Sequence, residues 1–333
     1  MEDLDVMKNA WQQRRVLVTG ATGMVGSWLV KELLAQRAEV ICFVLDEDPQ
    51  SELIRSGDIH ETQVVNGRLE SFTDVERAIN GHEIDTLFHL GAQTIVGTAR
   101  RDPLGTFEAN VRGTYHVLEA CRRHSGLVKR VVVASSDKAY GKQPHLPYVE
   151  SMPLEGREPY EVSKSCADLI AQGYHHAYGL PVAILRCGNI YGGGDLNWSR
   201  IIPGTIRSFM LGERPIIRSN GRYVRDYLYV KDVVRACLAV ADRLGDKKVQ
   251  GQGFNFSPQK PLTVLEIVSE ISRIMDASKL KPIIKNTAQG EIPDQFLSAA
   301  KARRLLGWRP AYPMAKALAE TVDWYRSFFA GSR

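Results

Sequence analysis

Val16-Leu17-Val18-Thr19-Gly20-Ala21-Thr22-Gly23-Met24-Val25-Gly26 is the stretch that decides how this chain is read. Three branched apolar residues in a row predict a strand. Glycines follow at the spacing GxxGxxG, and from Val25 to Ala35 the residues Val25, Leu29 and Leu33 share one helical face. Strand, glycine loop and helix in that order make a turn suited to phosphate. Gly20 permits a tight bend, Gly23 lets backbone approach a pyrophosphate, and Gly26 lets helix and strand pack closely. The helix N-terminus adds free N–H groups and the positive end of its dipole. A glycine loop alone can be a mere turn, but this context reads as a dinucleotide site, with Gly20, Thr22, Gly23, Met24, Val25 and Gly26 around the phosphates.

The pattern repeats outward from that loop. Strands are predicted at 39–45, 86–90, 131–134 and 182–186, and helices at 75–79, 107–123 and 160–178. Such alternation predicts an α/β chain with a doubly wound, Rossmann-type parallel sheet covered on both faces. After Tyr191 the rhythm breaks at Gly192-Gly193-Gly194 and Pro203. The expected organisation is a dinucleotide-binding domain over 1–190 and a smaller substrate-binding domain over 191–333. A segment near 227–258 is expected to return to the first domain.

The totals exclude several classes. A formal charge of +5 over 333 residues, with no lysine- or arginine-rich block, argues against nucleic acid but suits an anionic pyrophosphate. Cys42, Cys121, Cys166, Cys187 and Cys237 are scattered and form no CxxC pair, so they read as buried small hydrophobes in a reducing compartment, with no metal site. Residues 1–15 are polar and no run is long and apolar enough to span a bilayer, so no leader, no membrane and a cytoplasmic location are expected. After the second strand come Asp46, Glu47 and Asp48, with no arginine directly following to receive a 2′-phosphate. Asp46 is the candidate for the adenosine ribose and NAD is favoured over NADP; the alternative is a solvated acidic turn.

Further motifs then fall in order: His89-Leu90-Gly91-Ala92-Gln93, Asn110, Ser135-Ser136-Asp137-Lys138, Tyr160-Glu161-Val162-Ser163-Lys164, Arg186-Cys187-Gly188-Asn189-Ile190-Tyr191-Gly192, Arg225-Asp226-Tyr227 and Val230-Lys231-Asp232. With the glycine loop, these make the chain similar to the extended short-chain dehydrogenase/reductase family over about Arg14 to Trp308. Ser135 to Lys138, Gly192 to Asp195 and Arg200 to Pro203 resemble the nucleotide-sugar 4,6-dehydratases, particularly the CDP-glucose type. There are two departures. Arg225-Asp226-Tyr227 has the general family form without a tryptophan, and Arg68 stands where an aspartate commonly contacts adenine. The resemblance implies cofactor contacts from Arg68, Leu69, Leu90, Ala92, Gln93 and Asn110, and from Tyr160 and Lys164. It also implies nucleotide-diphosphate contacts from Asn189 and Arg225. Arg200 and Arg218 are further candidates for the diphosphate, or equally surface charges.

Tyr160 and Lys164, four residues apart, share a helix face. A nearby ammonium favours the phenolate, so Tyr160 can take a proton from a sugar hydroxyl while Ser136 bonds the same oxygen. Asp137 and Lys138 separate two subclasses. An epimerase needs only the Ser/Tyr/Lys set. A 4,6-dehydratase also needs an acid for the departing C6 hydroxyl and a base for the C5 proton. Asp137 is the candidate acid and Lys138 the candidate base, although each lowers the other's fitness by charge, and which takes which step stays open. Neither reaction has net redox change, so NAD should be tightly bound. The expected function is therefore a nucleotide-sugar 4,6-dehydratase, with a 4-epimerase as alternative. The resemblance also implies a homodimer through the helices at 107–123 and 160–178.

Overall fold

Side chains of the first strand face two hydrophobic clusters in turn, and this sets the layers. The computed structural model describes residues 11–288 and 290–331; most of the polar stretch read above as carrying no leader lies outside them. In β1 (Arg15–Thr19), Val16 and Val18 face one hydrophobic cluster and Leu17 the other, the period of two that a strand covered on both sides requires. The chain continues through α1 (Met24–Ala35), β2 (Glu39–Val44), β3 (Gln63–Asn66), α2 (Phe72–Gly81), β4 (Thr86–His89), α3 (Gly113–Arg123), β5 (Arg130–Ala134), α4 (Pro159–Tyr178) and β6 (Val182–Cys187). Then come β7 (Asn189–Tyr191), α5 (Ile201–Met210), β8 (Tyr227–Tyr229), α6 (Val230–Arg243), β9 (Gly253–Phe256), α7 (Val264–Ile274) and α8 (Met314–Ala330).

Seven strands form one parallel sheet in the order β9-β6-β5-β4-β1-β2-β3. The winding direction reverses between β1 and β4, where Thr19 lies level with His89. A crevice opens at the carboxyl ends of such a pair, because the connections leave in opposite directions. All six residues of β6 are buried, as expected for an inner parallel strand. Helices α1 and α6 cover one face through Leu29, Leu33, Val233 and Val240. Helices α2, α3 and α4 cover the other through Ile79, Val117 and Ala171. A further cluster of Tyr191, Ile206, Tyr229, Ile267 and Val322 joins α5, α7 and α8 to β7 and β8.

Two local features matter for the crevice. Helix α4 starts sharply: Pro159 occupies its first turn, Glu158 and Glu161 form a reciprocal capping box, and Gly179 ends it at φ +67°. The single helix expected over 107–123 is instead divided. A helix over Pro103–Phe107 passes through a π-helical turn at Glu108–Arg112 into α3. The wide turn accommodates Asn110, whose buried amide ties three segments together as described below.

Among the described residues, no helix is long and apolar enough to cross a membrane.

Candidate active site

The glycine loop lies at the carboxyl end of β1, where backbones approach too closely for side chains. Gly20 has φ +68°, and a Cβ there would come within 2.7 Å of the Gly91 nitrogen. A Cβ on Gly26 would come within 2.0 Å of the Gly20 carbonyl oxygen. Helix α1 begins at Gly23 with no side-chain cap and no acid in its first turn. Its first N–H groups therefore remain available to an anion. Thr22 offers its carbonyl to the Ser51 hydroxyl at 2.7 Å, and Met24 and Val25 are half-buried. This cradle fits a dinucleotide pyrophosphate.

Across the crevice, the Thr19 hydroxyl accepts from the backbone N–H groups of Leu90 and Gly91, both at 3.1 Å, and bonds His89 Nδ1 at 2.9 Å. Burial, with Lys164 nearby, pushes His89 down to about 3, so the ring is neutral and structural. Ala92 and Gln93 follow, half-buried. Asn110 Oδ1 accepts from the Gln93 N–H at 2.7 Å; its Nδ2 donates to the Gln93 carbonyl at 3.0 Å and to Ser163 Oγ at 2.9 Å. Ser163 in turn donates to the Tyr160 carbonyl at 2.7 Å. One asparagine thus locks the loop after β4 to the helix that carries Tyr160 and Lys164.

At the outer end the fit is looser. Asp46 is exposed beyond β2, beside an Asx turn in which Asp48 accepts from the Gln50 N–H at 2.9 Å. Arg68 is exposed and pairs with Glu70 at 3.6 Å. Leu69 is half-buried, and its carbonyl bonds His116 at 2.9 Å.

The other end of the crevice brings together the candidate catalytic side chains. Ser136 caps a short 3-10 turn over Asp137–Tyr140; its hydroxyl accepts from the Lys138 N–H at 3.2 Å and donates to Asp137 Oδ1 at 3.0 Å. Ser136 lies beside the Tyr160 phenol and favours its ionised form. Asp137 Oδ2 is buried and has no partner. Burial raises the Asp137 carboxyl above its ordinary range, against the pull of Lys138, the Ser136 bond and Arg225. Burial also lowers the Lys138 ammonium, with Arg225 adding to the effect and Asp137, Glu161 and Glu291 opposing it. The opposition anticipated between neighbouring opposite charges is therefore present, and desolvation outweighs it on both sides.

Lys164 differs from the expectation. Its Nζ donates to the Ala134 carbonyl at 3.0 Å, and burial brings it down to about 8, against the attraction of Asp168. The ammonium bears on His89, while the charge that favours ionisation of Tyr160 is Arg200; burial nevertheless raises the phenol. The i,i+4 spacing gave a shared helix face, but the Ala134 carbonyl sets where the lysine ends.

The four substrate-end candidates separate. Arg200 reaches Asp195 Oδ2 at 3.2 Å and faces Tyr160 electrostatically. Asn189 is exposed at the start of β7, its N–H on the Asp226 carbonyl at 3.1 Å. Arg225 bears on Asp137 and Lys138, but its guanidinium donates to the carbonyls of Val224, Ile292 and Pro293 and pairs with Glu291. Arg218 is exposed, and its carbonyl accepts from the N–H groups of Thr287 and Ala288. Sequence reasoning missed the supports. Thr19–His89, Asn110–Ser163 and Arg186–Asp168–Tyr140 join positions 18 to 70 residues apart. Thr19, His89, Asn110, Ser163 and Arg186 each stand in a motif quoted above, but their pairings with one another, and the parts of Asp168 and Tyr140, carried no local signal.

A family model described as "NAD dependent epimerase/dehydratase family" matches residues 16–255. The CDP-glucose 4,6-dehydratase of Salmonella typhimurium is 32% identical, over 97% of this chain and 94% of its own. Among solved structures, the dTDP-glucose 4,6-dehydratase of Bacillus anthracis in complex with NAD superposes with a TM-score of 0.82 at 26% identity, covering 94% of this chain and 97% of the other. The UDP-glucose 4-epimerase of Thermotoga maritima, with UDP-glucose, gives 0.86 at 27% identity, covering 95% and 99%. The glycine cradle, the reversal between β1 and β4 and these likenesses along nearly the full length agree: this chain belongs to the NAD dependent epimerase/dehydratase family.

Proposed function

We propose that this chain is a nucleotide-sugar 4,6-dehydratase that converts an NDP-hexose to its 4-keto-6-deoxy form with a retained NAD. The observation that carries the reading is the neighbouring Asp137–Lys138 pair beside Ser136 and Tyr160, Asp137 buried and Lys138 half-buried, in which desolvation favours a protonated acid and disfavours the charged base. The loop Gly20–Gly26 and residues Leu90, Ala92, Gln93 and Asn110 would hold the dinucleotide, with Lys164 and Tyr160 at the nicotinamide end and Asp46, Arg68 and Leu69 toward the adenosine. When bound, NAD supplies the acceptor for hydride from C4 and later the hydride returned to C6.

The chain's own groups move the protons. Tyr160 takes the C4 hydroxyl proton, with Ser136 bonding the same oxygen and Arg200 favouring the phenolate. The resulting ketone acidifies the C5 hydrogen. Lys138, its ammonium disfavoured by desolvation, takes that proton, and Asp137, protonated on its free Oδ2, gives one to the departing C6 hydroxyl, which leaves as water; as hydride reaches C6, Lys138 returns its proton to C5, and the proton held by Tyr160 restores Asp137. Asn189 and Arg225 are assigned to the diphosphate, while Arg200 stands toward Tyr160 and Arg218 is left as a surface charge. The guanidinium of Arg225, already bonded to three carbonyls, would act there mainly as a fixed positive charge.

A 4-epimerase is the second reading, supported by the likeness to the Thermotoga maritima enzyme; it has no need of Asp137 or Lys138. Mass spectrometry of the protein with CDP-, GDP-, UDP- and dTDP-hexoses, no cofactor added, separates the two. A product lighter by one water supports the dehydratase, and an isomer of unchanged mass overturns it in favour of the epimerase.

We further propose a cytoplasmic homodimer. Leu104, Tyr115, Leu169 and Tyr178 are exposed on or beside α3 and α4, and Phe107, Val111, Tyr115, Val162 and Cys166 line a groove there. Such a clustered apolar face supports pairing with a second copy.

A further inference from the structure

The three glycines at 192–194 lie where the chain threads between the first turn of α1 and the C-terminal helix α8. Gly193 has no room for a side chain: a Cβ there would come within 2.3 Å of the Trp324 ring. Gly194, at φ +87°, has the Glu52 Cβ at 3.3 Å and the Met24 Cα at 4.0 Å from the place its own Cβ would take. This strap therefore runs alongside the helix turn that fits the pyrophosphate.

Five hydrogen bonds tie the strap and the segments around it together, each across 21 or more residues of sequence. Trp28 Nε1 on α1 donates to the Gly193 carbonyl at 2.8 Å. Trp324 Nε1 on α8 donates to Glu52 Oε2 at 2.7 Å, and Lys31 on α1 pairs with the other oxygen of Glu52 at 2.5 Å. Tyr325 donates its hydroxyl to the Asp195 carbonyl at 2.6 Å. Ser51, next to Glu52, donates to the Thr22 carbonyl within the glycine loop at 2.7 Å. The Trp28 ring is itself fixed, with the Lys31 and Lys231 ammonium groups each 5.1 Å from its centroid.

We propose that Trp28, Trp324 and Glu52 form a clamp that retains the dinucleotide, by holding the 192–194 strap closed against the first turn of α1. The inference rests on the NAD reading of the glycine loop but not on which sugar is processed. A cycle without net redox change gains nothing from releasing its cofactor. The clamp joins both halves of the chain through two indole N–H groups, so its opening requires breaking both bonds. These are positioning residues; none has to touch the reacting atoms.

The test is the exchange rate of bound NAD. Trp28→Phe and Trp324→Phe each keep an aromatic ring and delete one N–H donor. Each protein is loaded with isotopically labelled NAD, chased with an excess of unlabelled NAD, and sampled by desalting. Each variant is expected to release label about tenfold faster than the parent, with an unchanged circular-dichroism spectrum, since one hydrogen bond is worth about that factor. The double variant is expected to be faster again. Release from both single variants within twofold of the parent overturns the clamp while leaving the dinucleotide site standing. A parent protein that takes up no labelled NAD overturns the dinucleotide reading, and the clamp with it.

Discussion

Replacing Asp137 by asparagine tests the chemistry at its most specific point. Asparagine has the shape of aspartate and keeps an oxygen to accept from Ser136, now at 3.0 Å, so the short turn over Asp137–Tyr140 should persist. The variant cannot deliver a proton from the buried, unpartnered Oδ2. A positioned general acid is worth about 10²–10⁴ in rate, which at 1.36 kcal/mol per tenfold is about 3–5 kcal/mol of barrier. Oxidation at C4 does not use that proton. Asp137→Asn with the preferred sugar nucleotide should therefore show a rapid rise in reduced-nicotinamide absorbance followed by water loss slowed at least about a hundredfold. The pH profile supplies a second readout. An acid with a raised pKa works only below it, and a base with a lowered pKa only above it, so kcat for the parent should be bell-shaped. Asp137→Asn should lose the alkaline limb and keep the acid one. Stopped-flow absorbance with product mass spectrometry follows both. Dehydration within threefold of the parent, or an unchanged alkaline limb, would refute Asp137 as the acid.

Other expectations follow from single residues. Lys164→Met should raise the thermal midpoint while abolishing turnover. The folded-state pKa near 8 lies below the ordinary 10.5, so protonated Lys164 opposes folding fully below pH 8, and the penalty fades as pH rises toward 10.5. Those shifts set an upper limit on the order of 3 kcal/mol at neutral pH, and a calorimetric scan that shows destabilisation would contradict it. Gly26→Ala should lose bound NAD or fail to fold, because its Cβ would meet the Gly20 carbonyl oxygen at 2.0 Å; nucleotide content after purification decides the matter. Leu169→Glu, on an exposed position of α4, should turn the proposed dimer into a monomer in multi-angle light scattering at micromolar concentration. A parent already monomeric there would remove the dimer altogether.

The local order of the chain was legible in the sequence because the signals it uses are local. Three branched residues, three glycines and a one-sided helix need no distant partner to be recognised, and alternation at that spacing implies a parallel sheet. The expectation that Ser136, Asp137, Lys138 and Tyr160 act together rested on the motifs and their family resemblance; in the structure the Ser136 hydroxyl bonds Asp137 Oδ1 and the Lys138 N–H and lies beside the Tyr160 phenol. What tertiary structure alone decided were the energies and the partners. Sequence neighbours Asp137 and Lys138 should stabilise each other's charges; desolvation outweighs that for both, and desolvation is a property of the whole fold. Lys164 shares a helix face with Tyr160 but is directed by a carbonyl 30 residues away. The π-helical turn that seats Asn110 interrupts an apolar pattern that reads as one continuous helix. Trp28 and Trp324, nearly 300 residues apart, meet across the same glycine strap. Contacts at such separations leave no periodic trace in a single chain, since either partner alone looks like any amphipathic residue on its own helix.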